Sequence, residues 1–422
     1  MSFSRLPFAA IIVVILAAAI AVAGFLDSGD VKTQPVAEAA AEPKDPCEEA
    51  RESCASVQLR GREWRYSVVR ATTDTKRTVI LDLGGPGIAP LSGTYHLDGY
   101  AKQVPQLGGY NMLVIEEPWV TQSLDDSCAA AGTKYYESVR AGAQDVTDQA
   151  AALHEKCRIG QGRWGFTPQD YADVVSTVIA KESLEVEGFI GHSFGVARYS
   201  YLVGAEATRD LRWSVLARPF PIGVDAASFA SRRTELIEKS FGQTPRVFSQ
   251  ASAPSRSLPV TKFDVASAIV GLSYAAESEK GEAAEAVTKD HDPEVVGRFS
   301  DNIWHRYGTN SVSPAFLAQL DEICSATTSS EKLKAGLSRD AASQIVAKLM
   351  LPCAGEPSRK LSLPKTTTCV ISSDTDPVVA GGTAATLVKR VVPGAVVYKS
   401  RVASHRSQDG LSFCLKQVLK AR

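Results

Sequence analysis

Gly191-His192-Ser193-Phe194-Gly195 constrains this chain more than any other stretch. It reads Gly-x-Ser-x-Gly, and its flanks suit the motif. A strand-like run, Val186 to Ile190, precedes it, and a helix-compatible run, Val196 to Val203, follows. A serine on a sharp strand-to-helix turn projects its hydroxyl clear of the backbone, and glycines on either side remove side chains that would clash there. Ser193 is therefore the expected nucleophile, with a structural serine as the bland alternative.

Strand and helix signals alternate on both sides of this turn. Val57 to Arg70 suggests an opening hairpin around Gly61. Thr78 to Leu83 and Asn111 to Ile115 read as buried strands, and Leu211 to Leu216 as the strand after the serine. Thr167-Pro168 opens a helix over Gln169 to Lys181, with Tyr171, Val174, Val175 and Val178 on one face. This alternation predicts a mostly parallel sheet covered on both faces. From about 221 to 363 the pattern turns helical, over Ala227 to Phe241, Phe263 to Ala276, Pro314 to Ile323 and Glu331 to Leu349; Ser313 is a candidate N-cap. Strand signals return at Thr368 to Ile371 and Ala395 to Tyr398. The expected division is a core over 47–220 and 364–422, with 221–363 as a helical cap. A helical insertion in such a sheet suits a lid over an active site, or a packing decoration.

The chain has 422 residues, a net charge of -1 and 44% hydrophobic residues, which describe an ordinary globular protein with ample core. No block of basic residues supports a nucleic-acid partner. Phe8 to Leu26 is a run of 19 apolar or small residues behind Arg5. It suits a single membrane anchor, or a signal cleaved after Ala21-Val22-Ala23 to release a secreted protein. Either reading puts the rest of the chain outside the cytoplasm, behind a tether over 27–46. The eight cysteines avoid metal-ligand spacings. In an exported chain they favour disulfides. Nearest-neighbour pairing gives Cys47–Cys54, Cys128–Cys157, Cys324–Cys353 and Cys369–Cys414. The last would tie a strand to a closing helix whose apolar face is Leu411, Cys414, Leu415, Val418 and Leu419. No metal or organic cofactor is indicated, and the oligomeric state is open.

A serine hydroxyl needs a base, and the base needs an acid to orient it. His405 is the one histidine after the insertion, on a loop at the carboxyl edge of the sheet, where sites in such sheets lie. The acid should follow the strand at 368–372. Asp376, before Pro377-Val378-Val379, is the first choice, and Asp374 the alternative. The oxyanion donors expected are the backbone N–H of Phe194 and one from the loop Gly84-Gly85-Pro86-Gly87.

With those residues in place, the chain resembles the α/β-hydrolase group that holds proline iminopeptidases and secreted bacterial tripeptidyl aminopeptidases. Leu83-Gly84-Gly85-Pro86-Gly87 resembles the family's His-Gly-Gly-Pro-Gly. The helix and elbow from Gln169 to Gly195 carry the second likeness, and Asp376-Pro377 with His405 the third. The resemblance implies an α/β-hydrolase fold and a triad of Ser193, Asp376 and His405. It makes Gly85 and Phe194 the oxyanion donors, and it implies an aminopeptidase acting on short peptides. Four departures stand out: Leu83 for histidine, Glu116-Glu117-Pro118-Trp119 for Asp-Gln-Arg-Gly, Val196 for a small residue, and Ser404-His405-Arg406 for Gly-His-Gly. Acidic groups bind the substrate's amino terminus in that family, which makes Glu116 and Glu117 candidates, or merely a solvated acidic pair. An esterase or acyltransferase with the same triad, and a non-catalytic binding protein, remain the other readings.

Overall fold

The computed structural model describes residues 54–91, 104–143, 145–245, 248–306, 311–328, 341–353 and 359–420. The expected anchor or signal, the tether and Cys47 lie outside them. Eight strands form one sheet: β1 Cys54–Leu59, β2 Arg62–Val69, β3 Arg77–Asp82, β4 Asn111–Ile115, β5 Glu185–His192, β6 Trp213–Ala217, β7 Thr367–Ser372 and β8 Val396–Lys399. Their order across the sheet is β1-β2-β4-β3-β5-β6-β7-β8. β2 runs antiparallel to both neighbours, and every other adjacent pair is parallel. This is the strand order of an α/β-hydrolase sheet. The opening hairpin turns at Arg60 (φ 54°) and Gly61 (φ 73°), two consecutive left-handed residues whose twist matches paired strands.

The helices along the chain are α1 Asp126–Arg140, α2 Thr147–Cys157, α3 Pro168–Glu182, α4 Gly195–Tyr201, α5 Ala226–Phe241, α6 Lys262–Gly271, α7 Glu277–Glu285, α8 Pro293–Trp304, α9 Pro314–Ala326, α10 Ala341–Met350, α11 Thr383–Val391 and α12 Leu411–Lys420. Strand alternation sends Ile80, Leu113 and Phe189 to one face, where Tyr171, Val174, Val175 and Val178 of α3 cover them. Val79, Leu81, Met112 and Ile190 go to the other, under Leu411, Cys414, Leu415 and Val418 of α12. Thr167 caps α3 by accepting from the Asp170 N–H at 3.0 Å, with Pro168 in the first turn.

The remaining helices make a third apolar cluster. It draws Tyr135, Tyr136, Leu153 and Trp164 from the β4–β5 connection together with Phe229, Ile269, Phe316 and Val346 from the β6–β7 connection. The helical layer is thus fed from two places in the chain, not from 221–363 alone. Local differences have local causes. Helix α6 stops at Gly271 and continues as a 3-10 turn over Leu272–Tyr274, short of Ala276. A Cβ at Gly271 would lie 2.5 Å from the Phe299 carbonyl oxygen, so this turn is pressed against α8. Ser313 occupies the N-cap position of α9, but its hydroxyl makes no capping bond. Of the helix expected over 331–349, residues 331–340 lie outside the described set.

Cys128–Cys157, Cys324–Cys353 and Cys369–Cys414 are disulfides, the last joining β7 to α12. Cys54 is also disulfide-bonded. The three bonds with both partners described already fit an oxidising, extracytoplasmic compartment. Among the described residues, no helix is long and apolar enough to cross a membrane.

Candidate active site

Strands β3, β5, β6, β7 and β8 all point the same way, and the sequence-predicted site residues leave their carboxyl ends. Ser193 follows β5 with φ 53°, a left-handed conformation that a serine adopts only under constraint. The constraint is visible. The Ser193 N–H donates to the Ala217 carbonyl at 2.9 Å, and the Ser193 carbonyl accepts from the Phe220 N–H at 3.1 Å, so the turn is pinned to the end of β6. Helix α4 starts two residues later. Gly195 lies so close to β3 that a Cβ would stand 2.6 Å from the Asp82 carbonyl oxygen.

The glycine loop after β3 crosses this elbow. A Cβ on Gly84 (φ 80°) would sit 2.3 Å from the His192 carbonyl oxygen, 3.0 Å from Ser193 Cβ and 3.1 Å from the Phe194 nitrogen. The Gly84 N–H is taken by Asp82 Oδ1 at 2.9 Å. The N–H groups of Gly85 and Phe194 have no hydrogen-bond acceptor among the described residues. Phe194 adjoins the serine at the start of α4, and Gly85 follows the glycine that crosses the elbow.

His405 Nδ1 lies 2.8 Å from Asp376 Oδ2, and both residues are buried. Asp376 Oδ1 accepts from the Val378 N–H at 2.9 Å. Asp374 is exposed instead, 3.6 Å from Lys399 Nζ. Burial alone would raise the Asp376 carboxyl, but His405 and then Arg218 outweigh it and hold it below its ordinary range. No hydrogen bond joins Ser193 Oγ to His405. The rings of His192 and His405 are 4.7 Å apart, and His192 Nε2 donates to the His405 carbonyl at 2.8 Å. Burial pushes the His192 imidazole down to about 3, which keeps it a neutral brace under the His405 backbone.

Glu116 and Glu117 are not a solvated pair. Both are buried: Glu116 Oε1 accepts from the Leu91 N–H at 3.2 Å, and Glu117 Oε2 from the Gly87 N–H at 2.8 Å. Glu117 also meets Arg198 Nη2 at 2.6 Å. Arg198 is the centre of a buried ionic cluster. It holds Glu322 through two bonds of 2.8 Å, reaches Asp82 Oδ1 at 3.2 Å, and donates to the Gly84 carbonyl at 3.1 Å. Burial raises the Glu117 and Glu322 carboxyls against the pull of the guanidinium. Glu117 thus engages the Gly-rich loop and Arg198, an arrangement that needs no substrate.

Two buried arginines at the candidate site were missed in the sequence. Arg198 stands inside the otherwise uncharged run 196–203, and a charge in such a run was the signal. Arg218 follows β6 directly with φ 47° and is fully buried. It donates to Asp376 Oδ2 at 3.2 Å, to Ser400 Oγ at 3.2 Å and to the Val402 carbonyl at 3.0 Å. It clamps the acid to the loop that carries the base.

No protein-family model matches the chain, and no curated protein matches it. Solved structures do. A proline iminopeptidase-related protein from Thermus thermophilus is 13% identical over 88% of this chain and 100% of its own, with a TM-score of 0.41. A hydrolase from Pseudomonas aeruginosa is 14% identical over 87% of this chain and 97% of its own, with a TM-score of 0.43. An esterase from Rhodococcus sp. is 12% identical over 87% of this chain and 98% of its own, with a TM-score of 0.39. Similarity this low carries no argument about chemistry. The strand order and the elbow carry the fold.

Proposed function

We propose that this chain is an extracytoplasmic serine hydrolase working through an acyl-enzyme, with short peptides or small acyl compounds as substrates. The observation that supports the reading is the meeting of Asp376 and His405 at 2.8 Å, with the His405 ring 4.7 Å from that of His192, the chain neighbour of a serine held at φ 53°. Ser193 Oγ attacks the substrate carbonyl carbon and gives its proton to His405 Nε2. The carbonyl oxygen, now negative, takes the N–H groups of Gly85 and Phe194. His405 then protonates the leaving group, and its bond to carbon breaks. Water, deprotonated by His405, attacks the acyl-enzyme, and Ser193 leaves with its proton restored. Asp376 holds the imidazole in the required tautomer throughout. The helical layer acts as a cap: Phe229 of α5 packs on Phe220, which packs on Phe194, and Ser404 Oγ donates to the Ala275 carbonyl.

The first substrate class is a short peptide cleaved from its amino end, which rests on the resemblance of residues 83–87 to the aminopeptidase loop. The second is an ester. It is favoured by the burial of Glu116 and Glu117, whose engagement with the loop and Arg198 takes away the expected site for a free amine. A panel of aminoacyl amides and acyl esters, run on the protein and on Ser193→Ala, separates the two. Amide turnover lost in the variant supports the peptidase; turnover of esters alone rejects it; turnover that survives in Ser193→Ala rejects both.

A further inference from the structure

Arg233 is a buried cation that finds no counter-charge among the described residues. Its residue exposure is 4%, yet no described carboxylate lies within ion-pair distance of it. The other fully buried arginines, Arg198, Arg218 and Arg306, each meet one. Its protein contacts are a 3.3 Å bond from Nη2 to the Tyr274 hydroxyl and the face of that ring, 5.6 Å away. Nε is buried without a partner, and Nη1 makes no hydrogen bond. A cation–π contact offsets only part of the cost of desolvating a guanidinium.

Its position gives that cost a use. Phe229, Arg233 and Leu236 fall at i, i+4 and i+7 on α5, so they share one stripe. Phe229 reaches the elbow, its ring 5.2 Å from Phe220, which is 5.1 Å from Phe194. Leu236 reaches the acid loop: a Cβ on Gly381 would lie 3.5 Å from it, and the Gly381 N–H donates to the Asp376 carbonyl. Arg233 lies between those two anchor points. The Tyr274 ring that holds it packs edge-on against His405, 6.2 Å away.

The geometry points to Arg233 as the binding group for a carboxylate on the substrate. A single charge on a planar fork with unused N–H groups matches a carboxylate monoanion, which it can take through two parallel bonds. A phosphate dianion would ask for a second cation, and none is paired with Arg233. This rests on the hydrolase reading for its word "substrate", and it narrows that reading to acid-bearing compounds, such as a short peptide with a free carboxyl end.

The test is binding without turnover. Calorimetry on Ser193→Ala compares two matched pairs: trialanine with its carboxamide, and monomethyl glutarate with dimethyl glutarate. The acid should bind at least about tenfold tighter than its neutral partner in one pair or both. The preference should fall below about twofold when Arg233→Gln is added, and Arg233→Lys should restore part of it. Equal affinity within both pairs, absence of binding by all four, or a preference that survives in Arg233→Gln overturns the assignment. Thermal melts check that the variants fold, and the acid-to-neutral comparison in Ser193→Ala alone decides if they do not. Failure of the hydrolase reading shows separately, as a Ser193 that no fluorophosphonate labels, and it leaves the binding result intact.

Discussion

Asp374 and Asp376 are two positions apart and meet opposite surroundings. The first is exposed beside a lysine, while the second is buried against His405 and Arg218. Asp376→Asn should therefore cut kcat by about 10³–10⁴-fold, as loss of the orienting carboxylate does in such triads. Asp374→Asn should leave it within about twofold. Steady-state kinetics on the two variants checks this. The Asp376 carboxyl is held below its unfolded value of 3.8, so its contribution to stability is present above that pH. It is lost as pH falls through the folded value. Denaturant midpoints measured from pH 5 to pH 2 should fall less steeply in Asp376→Asn than in wild type. Arg198 answers to a different rule. Removing it leaves Asp82, Glu117 and Glu322 buried without their cation. Arg198→Met should destabilise the fold by about 3–5 kcal/mol, read as a lower urea midpoint at unchanged slope.

Among the elements, the elbow and the glycine loop hold each other in place. Gly84→Ala would drive a methyl into the His192 carbonyl and strain a φ of 80°. Gly394→Ala meets nothing within 4 Å. Turnover should drop steeply in the first variant and stay at the wild-type level in the second. The alternation of strand and helix was legible here because the core strands are apolar on both faces. Residues 78–83 and 368–371 read as strands without ambiguity. Helices α1, α2, α7, α8 and α11 were not read. Their buried stripes are interrupted by polar side chains: in α1, Lys134 precedes Tyr135 and Tyr136, and Glu137 and Ser138 separate them from Val139. The apolar faces of α1, α2, α7 and α8 find their partners across the chain in the helical layer, and α11 packs Ala385 and Val388 on the sheet, tertiary contacts that no local window contains. Three of the expected disulfide pairs fared better, because each joins cysteines adjacent in the order of the chain; Cys47 of the fourth lies outside the described residues.

At the scale of the molecule, two buried histidines should cost the fold stability in mild acid, against the opposite pull of Glu117 and Asp321, whose carboxyls burial raises to about 8 and about 6. Burial pushes His192 down to about 3 and His305 to about 4, both beneath the 6.5 of an unfolded histidine. Between pH 6.5 and 4 the unfolded chain takes up protons that the folded chain refuses. Each histidine then costs up to about 1.4 kcal/mol per pH unit. Across that window the pH dependence of the urea midpoint should shift toward greater acid stability in His305→Gln than in wild type; an unchanged slope in the variant would contradict the burial of that ring. Much of the candidate site was legible too, since Ser193, Asp376, His405 and the candidate donors Gly85 and Phe194 stand after strands where motif and order suggest them. Arg198, Arg218 and Arg233 were not, because a buried arginine is defined by what the fold brings to it. Labelling with a fluorophosphonate, followed by peptide mapping, tests the central claim most directly. The adduct should form on Ser193, vanish in Ser193→Ala, and form far more slowly in His405→Asn. Folded wild-type protein that takes up no label, or takes it up on another residue, would contradict the account.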